Sequence, residues 1–114
     1  MIERRQAKRI YSEELYNFNV SILTKASFFL AHILNISELG IAVVSTIQHG
    51  NCIIIGDRIA GKIHFPNRVS RIKFYGNLVR KVYVSIDNCE SLALFINFDS
   101  RISLPVDFLA LDLR

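Results

Sequence analysis

Arg58-Ile59-Ala60-Gly61-Lys62-Ile63-His64-Phe65, closed by Pro66-Asn67, is the stretch whose reading decides the fold. Ile59, Gly61, Ile63 and Phe65 alternate with Arg58, Ala60, Lys62 and His64. Successive side chains of a strand point to opposite faces, so this period of two predicts a half-buried β-strand. Pro66-Asn67 is a turn signal that ends it.

The same period recurs on both sides. Upstream, Phe18, Val20 and Ile22 alternate with Asn19, Ser21 and Leu23. Residues 28–34 and 41–47 are β-rich runs separated by Asn35-Ile36-Ser37-Glu38-Leu39-Gly40, whose Asn, Ser and Gly suit a hairpin or corner. Downstream, in 69–86, Ile72, Phe74, Val82, Val84 and Ile86 are expected to face one way. Arg71, Lys73, Lys81, Tyr83 and Ser85 would face the other, with Gly76-Asn77 as a bend. Residues 87–90 read as a turn into a last strand, 91–98, antiparallel to its neighbour. A helix is expected over 104–113, with Ser103 as cap, Pro105 in its first turn, and Leu104, Phe108 and Leu111 on one face.

About six short strands and one terminal helix predict a mainly-β single domain, a six-stranded antiparallel β-barrel whose closure removes aggregation-prone edges. Its expected parts are a basic arm at 1–16, the barrel at 17–98 and the helix at 103–113. A length of 114 residues with 51% hydrophobic content suits one core and one domain. No stretch approaches the roughly 20 apolar residues of a membrane-spanning helix, so no membrane insertion is expected. The charged start Met1-Ile2-Glu3-Arg4-Arg5 leads into no secretory core, and the expectation is a cytoplasmic protein. Cys52 and Cys89 lack the spacing of a zinc site or redox dithiol and read as buried free thiols.

Catalytic patterns are missing from the chain. His32, His49 and His64 stand in separate segments without a nucleophile or ligand-like spacing, so no enzyme, metal or cofactor is expected. His32 and His64 read as structural, and His49 as a loop residue. Gly56-Asp57-Arg58-Ile59-Ala60-Gly61 lacks the lysine and hydroxyl of a phosphate-binding loop, and its glycines fit turn and curvature roles. The net charge of +4, from 14 basic and 10 acidic residues, favours an anionic partner.

Charge is concentrated near the start, where 3–9 holds four basic residues with almost nothing to bury. Within it stands Arg4-Arg5-x-x-x-Arg9, and about thirty residues later Asn35-x-Ser37-x-x-Gly40. These two segments, in this order around a small barrel, resemble the signatures of PilZ domains, bacterial receptors for cyclic di-GMP. The likeness spans essentially the whole chain. It implies a cyclic di-GMP site made of Arg4, Arg5, Arg9, Asn35, Ser37 and Gly40. It further implies a mobile arm that orders over ligand, a downstream protein partner, and a role in motility or biofilm signalling. The chemistry fits the residue types: a guanidinium forks onto phosphate or onto guanine O6 and N7, and its flat face stacks on a base. Asn35 offers an amide, Ser37 a compact hydroxyl and Gly40 a backbone open to close approach. One departure is the last strand, which lacks the glycine common in the family shortly before its terminal phenylalanine.

Two other readings compete. A PilZ-fold interaction module of pilus or motility machinery would keep the barrel without binding nucleotide. A nucleic-acid-binding barrel would use Arg71, Lys73, Phe74, Tyr75, Arg80, Lys81 and Tyr83. The second is disfavoured because Phe74 falls on the inner face while Lys73, Tyr75, Lys81 and Tyr83 fall outside, the ordinary division of an amphipathic strand. The expected state is a monomer or weak homodimer.

Overall fold

An alternating strand leaves one apolar face to bury, and the computed structural model, which describes residues 8–66 and 70–111, shows those faces turned onto a common core. Strands β1 (Ile10–Tyr11), β2 (Asn19–Leu23), β3 (Phe28–Ile36), β4 (Gly40–Ser45), β5 (Arg58–His64), β6 (Arg71–Ile86) and β7 (Cys89–Phe98) are all paired antiparallel. Six of them run β3-β2-β5-β6-β7-β4, and β4 pairs back onto β3. This is the closed six-stranded barrel expected, with β1 as a short addition beside β3. Val20, Ile22, Ile33, Ile41, Ile63 and Leu94 fill the interior and are almost wholly shielded from solvent.

One end of the barrel is stoppered by aromatic rings. Helix α2 (Val106–Leu111) inserts Phe108, whose ring lies 4.8 Å from Phe18 and 5.6 Å from Phe65. The amides of Phe108 and Leu109 both donate to the Pro105 carbonyl, so the helix begins just after the proline. Ser103 lies outside that turn and is exposed, a later start than expected, while the helix end beyond 111 falls outside the described residues.

Two bulges alter the alternation. In β3 the register slips between Ile33 and Asn35. In β6 it slips between Leu78 and Arg80 rather than at Gly76-Asn77. An extra residue flips every side chain beyond it to the other face. Val82 therefore does not join Phe74 inside but is about one-third exposed. Lys81 moves instead to the face of Leu94, its register partner, and its ammonium donates to the carbonyls of Gly50 and Ile53. Beyond the bulge β6 and β7 continue as a ribbon to a two-residue turn, Asp87-Asn88. Both of these residues have positive φ, 51° and 64°, the backbone of a type I′ hairpin.

Other expectations are corrected. The segment before Asn17 is not bare. Ile10 and Leu15 are buried, in β1 and in a 3-10 helix (Glu13–Asn17) that Ser12 caps. Cys52 and Cys89 are exposed, not buried. The first follows helix α1 (Ile47–Gly50) in a surface turn, and the second opens β7 at the tip of the ribbon, where no core reaches. His49 lies within α1 and stacks on Phe29, with ring centres 5.0 Å apart. His32 is structural as expected, stacking on Tyr16 and donating from Nδ1 to its carbonyl.

The missing glycine of the last strand has a counterpart on its neighbours. A Cβ at Gly76 would meet the Asn97 carbonyl oxygen at 2.0 Å, so β6 supplies the close approach. Gly61 faces Phe74 in register, and a Cβ there would fall 2.1 Å from the Phe74 ring. Gly61→Ala should destabilise the protein by about 1–3 kcal/mol, because the ring has to leave its place in a packed core. In a Phe74→Leu background the same substitution should cost less than about 1 kcal/mol. Urea unfolding of the four variants checks this, and an undiminished cost in the second background would place the strain elsewhere.

Candidate functional site

The site is built where the β3 bulge meets β1. Up to Ile33 the odd-numbered residues of β3 point inward, and uninterrupted alternation would send Asn35 into the core. The bulge instead sets Asn35 opposite Ala42, between the core-facing Ile41 and Val43, so that it lies on the outer face. Strand β1 covers it there, pairing Tyr11 with Asn35 and Ile10 with Ile36. Asn35 is thereby only 4% exposed although it points away from the core.

The register of β1 also brings in an arginine. One residue before Ile10, Arg9 donates from Nη1 to Asn35 Oδ1 at 2.6 Å. Its Nη2 would lie 3.3 Å from a Cβ at Gly40, and that Cβ would meet the Ile96 carbonyl oxygen at 2.6 Å. Gly40 is thus fixed as glycine by the β7 backbone on one side and crowded by the Arg9 guanidinium on the other. Arg9, Asn35 and Gly40, distant in sequence, form one cluster.

Ser37 completes the corner from within. Its amide donates to the Gly40 carbonyl at 2.9 Å, its hydroxyl accepts from the Leu39 amide at 3.1 Å, and it is 2% exposed. In the described structure, then, its hydroxyl holds the turn. The intervening positions hold it too. The carbonyls of Glu38 and Leu39 accept from Ile102 and Phe98, and the Glu38 carboxylate pairs with Arg101. The corner is fixed on the chain that follows β7. Arg4 and Arg5 lie outside the described residues.

Sequence reading missed a polar row that continues the cluster. Gly40 pairs with Asn97, Asn97 with Asn77, and Asn77 with Arg58, across β4, β7, β6 and β5. Arg58 donates to Asn77 Oδ1 at 2.9 Å and grips Asp99 with two bonds of 2.7 Å. The alternation of Ile96 with Asn97 signalled a polar outer position, but only barrel register shows that it abuts Gly40. No cluster of three metal-ligating side chains occurs among the described residues.

No family model matches the chain, and no curated protein does. Solved structures do. The Bacillus subtilis inhibitor of motility, MotI/DgrA, aligns over 98% of this chain and 49% of its own, at 21% identity and a TM-score of 0.59. MrkH of K. pneumonia, solved as a complex with c-di-GMP, aligns over 98% of this chain and 50% of its own, at 12% identity and a TM-score of 0.67. The PilZ domain of YcgR from Escherichia coli, with c-di-GMP, aligns over 96% of this chain and 86% of its own, at 16% identity and a TM-score of 0.66. The fold is that of a PilZ domain. The chain spans about half the length of MotI/DgrA and of MrkH and most of the YcgR domain.

The Arg58–Asp99 pair yields a pH expectation. By donating to Asp99, Arg58 holds that carboxyl below its ordinary range, and Asp99 in turn raises the guanidinium. A lowered native pKa stabilises the fold above the ordinary carboxylate range, and that contribution disappears as pH falls through the lowered value. The carboxyl carbon of Asp99, followed by NMR, should titrate below an exposed aspartate and return to the ordinary range in Arg58→Gln. An unchanged midpoint in the variant would show that another group lowers it.

Proposed function

We propose that this PilZ-fold domain is a receptor for cyclic di-GMP that signals by ordering its N-terminal segment over ligand and presenting a changed surface to a protein partner. The single observation that carries this reading is the 2.6 Å bond from Arg9 to Asn35, which brings the end of the arginine segment onto the Asn-Ser-Gly corner. Arg9 of one signature and Asn35 of the other, 26 positions apart in sequence, are thus in contact. Support also comes from solved neighbours of the same fold described with c-di-GMP, namely MrkH and YcgR.

The residues divide the work by chemistry. A guanidinium has five N–H donors in a plane, and the bond to Asn35 uses one of them. The others suit a phosphate oxygen or a guanine edge, a fit lysine cannot reproduce. Asn35 and Gly40 form the rigid side: Asn35 offers amide hydrogen bonds, and Gly40 lets the Arg9 guanidinium and the β7 backbone close against the corner. Ser37 acts by holding the corner, with its hydroxyl available to ligand if Leu39 releases it. Arg4 and Arg5 would close from the other side, Arg5 being required by the signature and Arg4 more peripheral. Any ordering over ligand would then fall to residues before β1, because β1 and the 3-10 helix are anchored by the buried Ile10 and Leu15.

Isothermal titration with cyclic di-GMP should show binding in the wild type and a weakening of about tenfold or more for Arg9→Ala and Arg5→Ala, each losing a charge-assisted contact. Ser37→Ala should bind more weakly as well and melt lower, since it loosens the corner. GMP and a short single-stranded oligonucleotide should bind far less well. Absence of wild-type binding at high micromolar ligand would sink the receptor reading in favour of a protein-interaction module. Preference for the oligonucleotide, with steep weakening by salt, would mark a nucleic-acid binder.

A further inference from the structure

The outer face of β3, β2, β5 and β6 is ruled into rows by strand register. The first row is Phe28, Leu23, Ala60 and Tyr75. Its three large members are more than half exposed, at 63%, 51% and 55%. The next row is Leu30, Ser21, Lys62 and Lys73. A third holds His32, Asn19, His64 and Arg71. No acidic residue stands in any of the three.

One feature of this face runs against stability. Lys62 and Lys73 are directly opposite each other, although like charges facing across strands destabilise a sheet. Neither lysine is relieved by an ion pair among the described residues. Beside them Leu23, Phe28, Lys62, Lys73 and Tyr75 surround a recess of about 220 Å³. It adjoins a shallower depression of about 300 Å³ that Lys25 also lines. A largely apolar depression edged by uncompensated ammonium groups is complementary to one kind of occupant, an apolar body with carboxylates next to it.

We propose that this face is a docking surface for an acidic protein segment, which seats one large apolar side chain in the recess and sets carboxylates against Lys62 and Lys73. Single-stranded nucleic acid fits it less well. Phe28 and Tyr75 are separated by three strand spacings, roughly 14 Å, too far apart for neighbouring bases to stack on both. A flat lipid surface does not enter a recess. The proposal is independent of nucleotide binding, since the face contains none of the residues of the Asn35 corner.

The test uses the full chain, labelled with nitrogen-15, titrated with the synthetic peptide Glu-Glu-Phe-Glu-Glu. Amide shifts should cluster at 21–23, 60–62 and 73–75. Replacing the peptide's phenylalanine by alanine, or its glutamates by glutamine, should weaken the response at least about threefold each. Lys73→Glu should abolish it while raising the melting temperature by about 1–4 °C, because the like-charge pair becomes a salt bridge. The melting curve also shows that the variant is folded. The proposal is overturned if these strands do not respond, if Lys73→Glu binds as well as wild type, or if its melting temperature does not rise. It is equally overturned if a thymidine oligonucleotide or phosphatidylserine vesicles give the stronger response.

Discussion

Strand β3 is the member on which the rest of the molecule depends. Along one edge it is held first by β2 and then by β1, and along the other by β4, whose pairing closes the barrel. The bulge between Ile33 and Asn35 lies where these partners change over. It keeps Ile33 and Ile36 in the core while turning Asn35 outward, so closure and the candidate site arise from one irregularity. A regular β3 would bury Asn35 among aliphatic side chains, at the cost of an amide without partners.

Around that bulge the structure uses backbone closeness rather than side-chain volume. Gly40 and Gly76 each stand against a β7 carbonyl, that of Ile96 and that of Asn97. Strand β7 is thus gripped from both sides at its end, with no glycine of its own there. The Asn-Ser-Gly corner is tied to the same end by the bonds from Phe98 and Ile102 to Leu39 and Glu38. A surface loop made of polar residues becomes a fixed wall in this way, and Arg9, brought in by β1, rests on it.

Much of this was legible beforehand. Six strands and the face of α2 follow from local periodicity, because a strand repeats every two residues and a helix about every 3.6. Turn-forming residues marked a turn within 87–90, of which Cys89 and Glu90 proved to belong to β7. The family resemblance implied that Arg9 and Asn35 serve one site, and their direct contact is a finding of the structure. The polar row through Asn97 and Asn77 to Arg58 was not legible, since its members are separated by up to 39 positions and meet only through register. Burial of Ile10 and Leu15 was missed for a related reason. Single apolar residues in a basic segment show no period, and their burial depends on β3 being there to receive them. The cysteines were misread because apolar neighbours in sequence say nothing about reach into the core from a surface turn, as at Cys52, or from the tip of a ribbon, as at Cys89.

Alternation and turn residues by themselves determined the strands and pointed to the barrel class, because each depends on contacts or conformations within a few positions. The residues worth testing came from the family resemblance that the two polar signatures carry. Only the tertiary structure decided which face Asn35 occupies, which glycines permit close approach, and that Lys62 and Lys73 confront each other on an acid-free surface. Those properties belong to register and bulges, and one inserted residue in a strand reverses every face beyond it without leaving a mark in local composition.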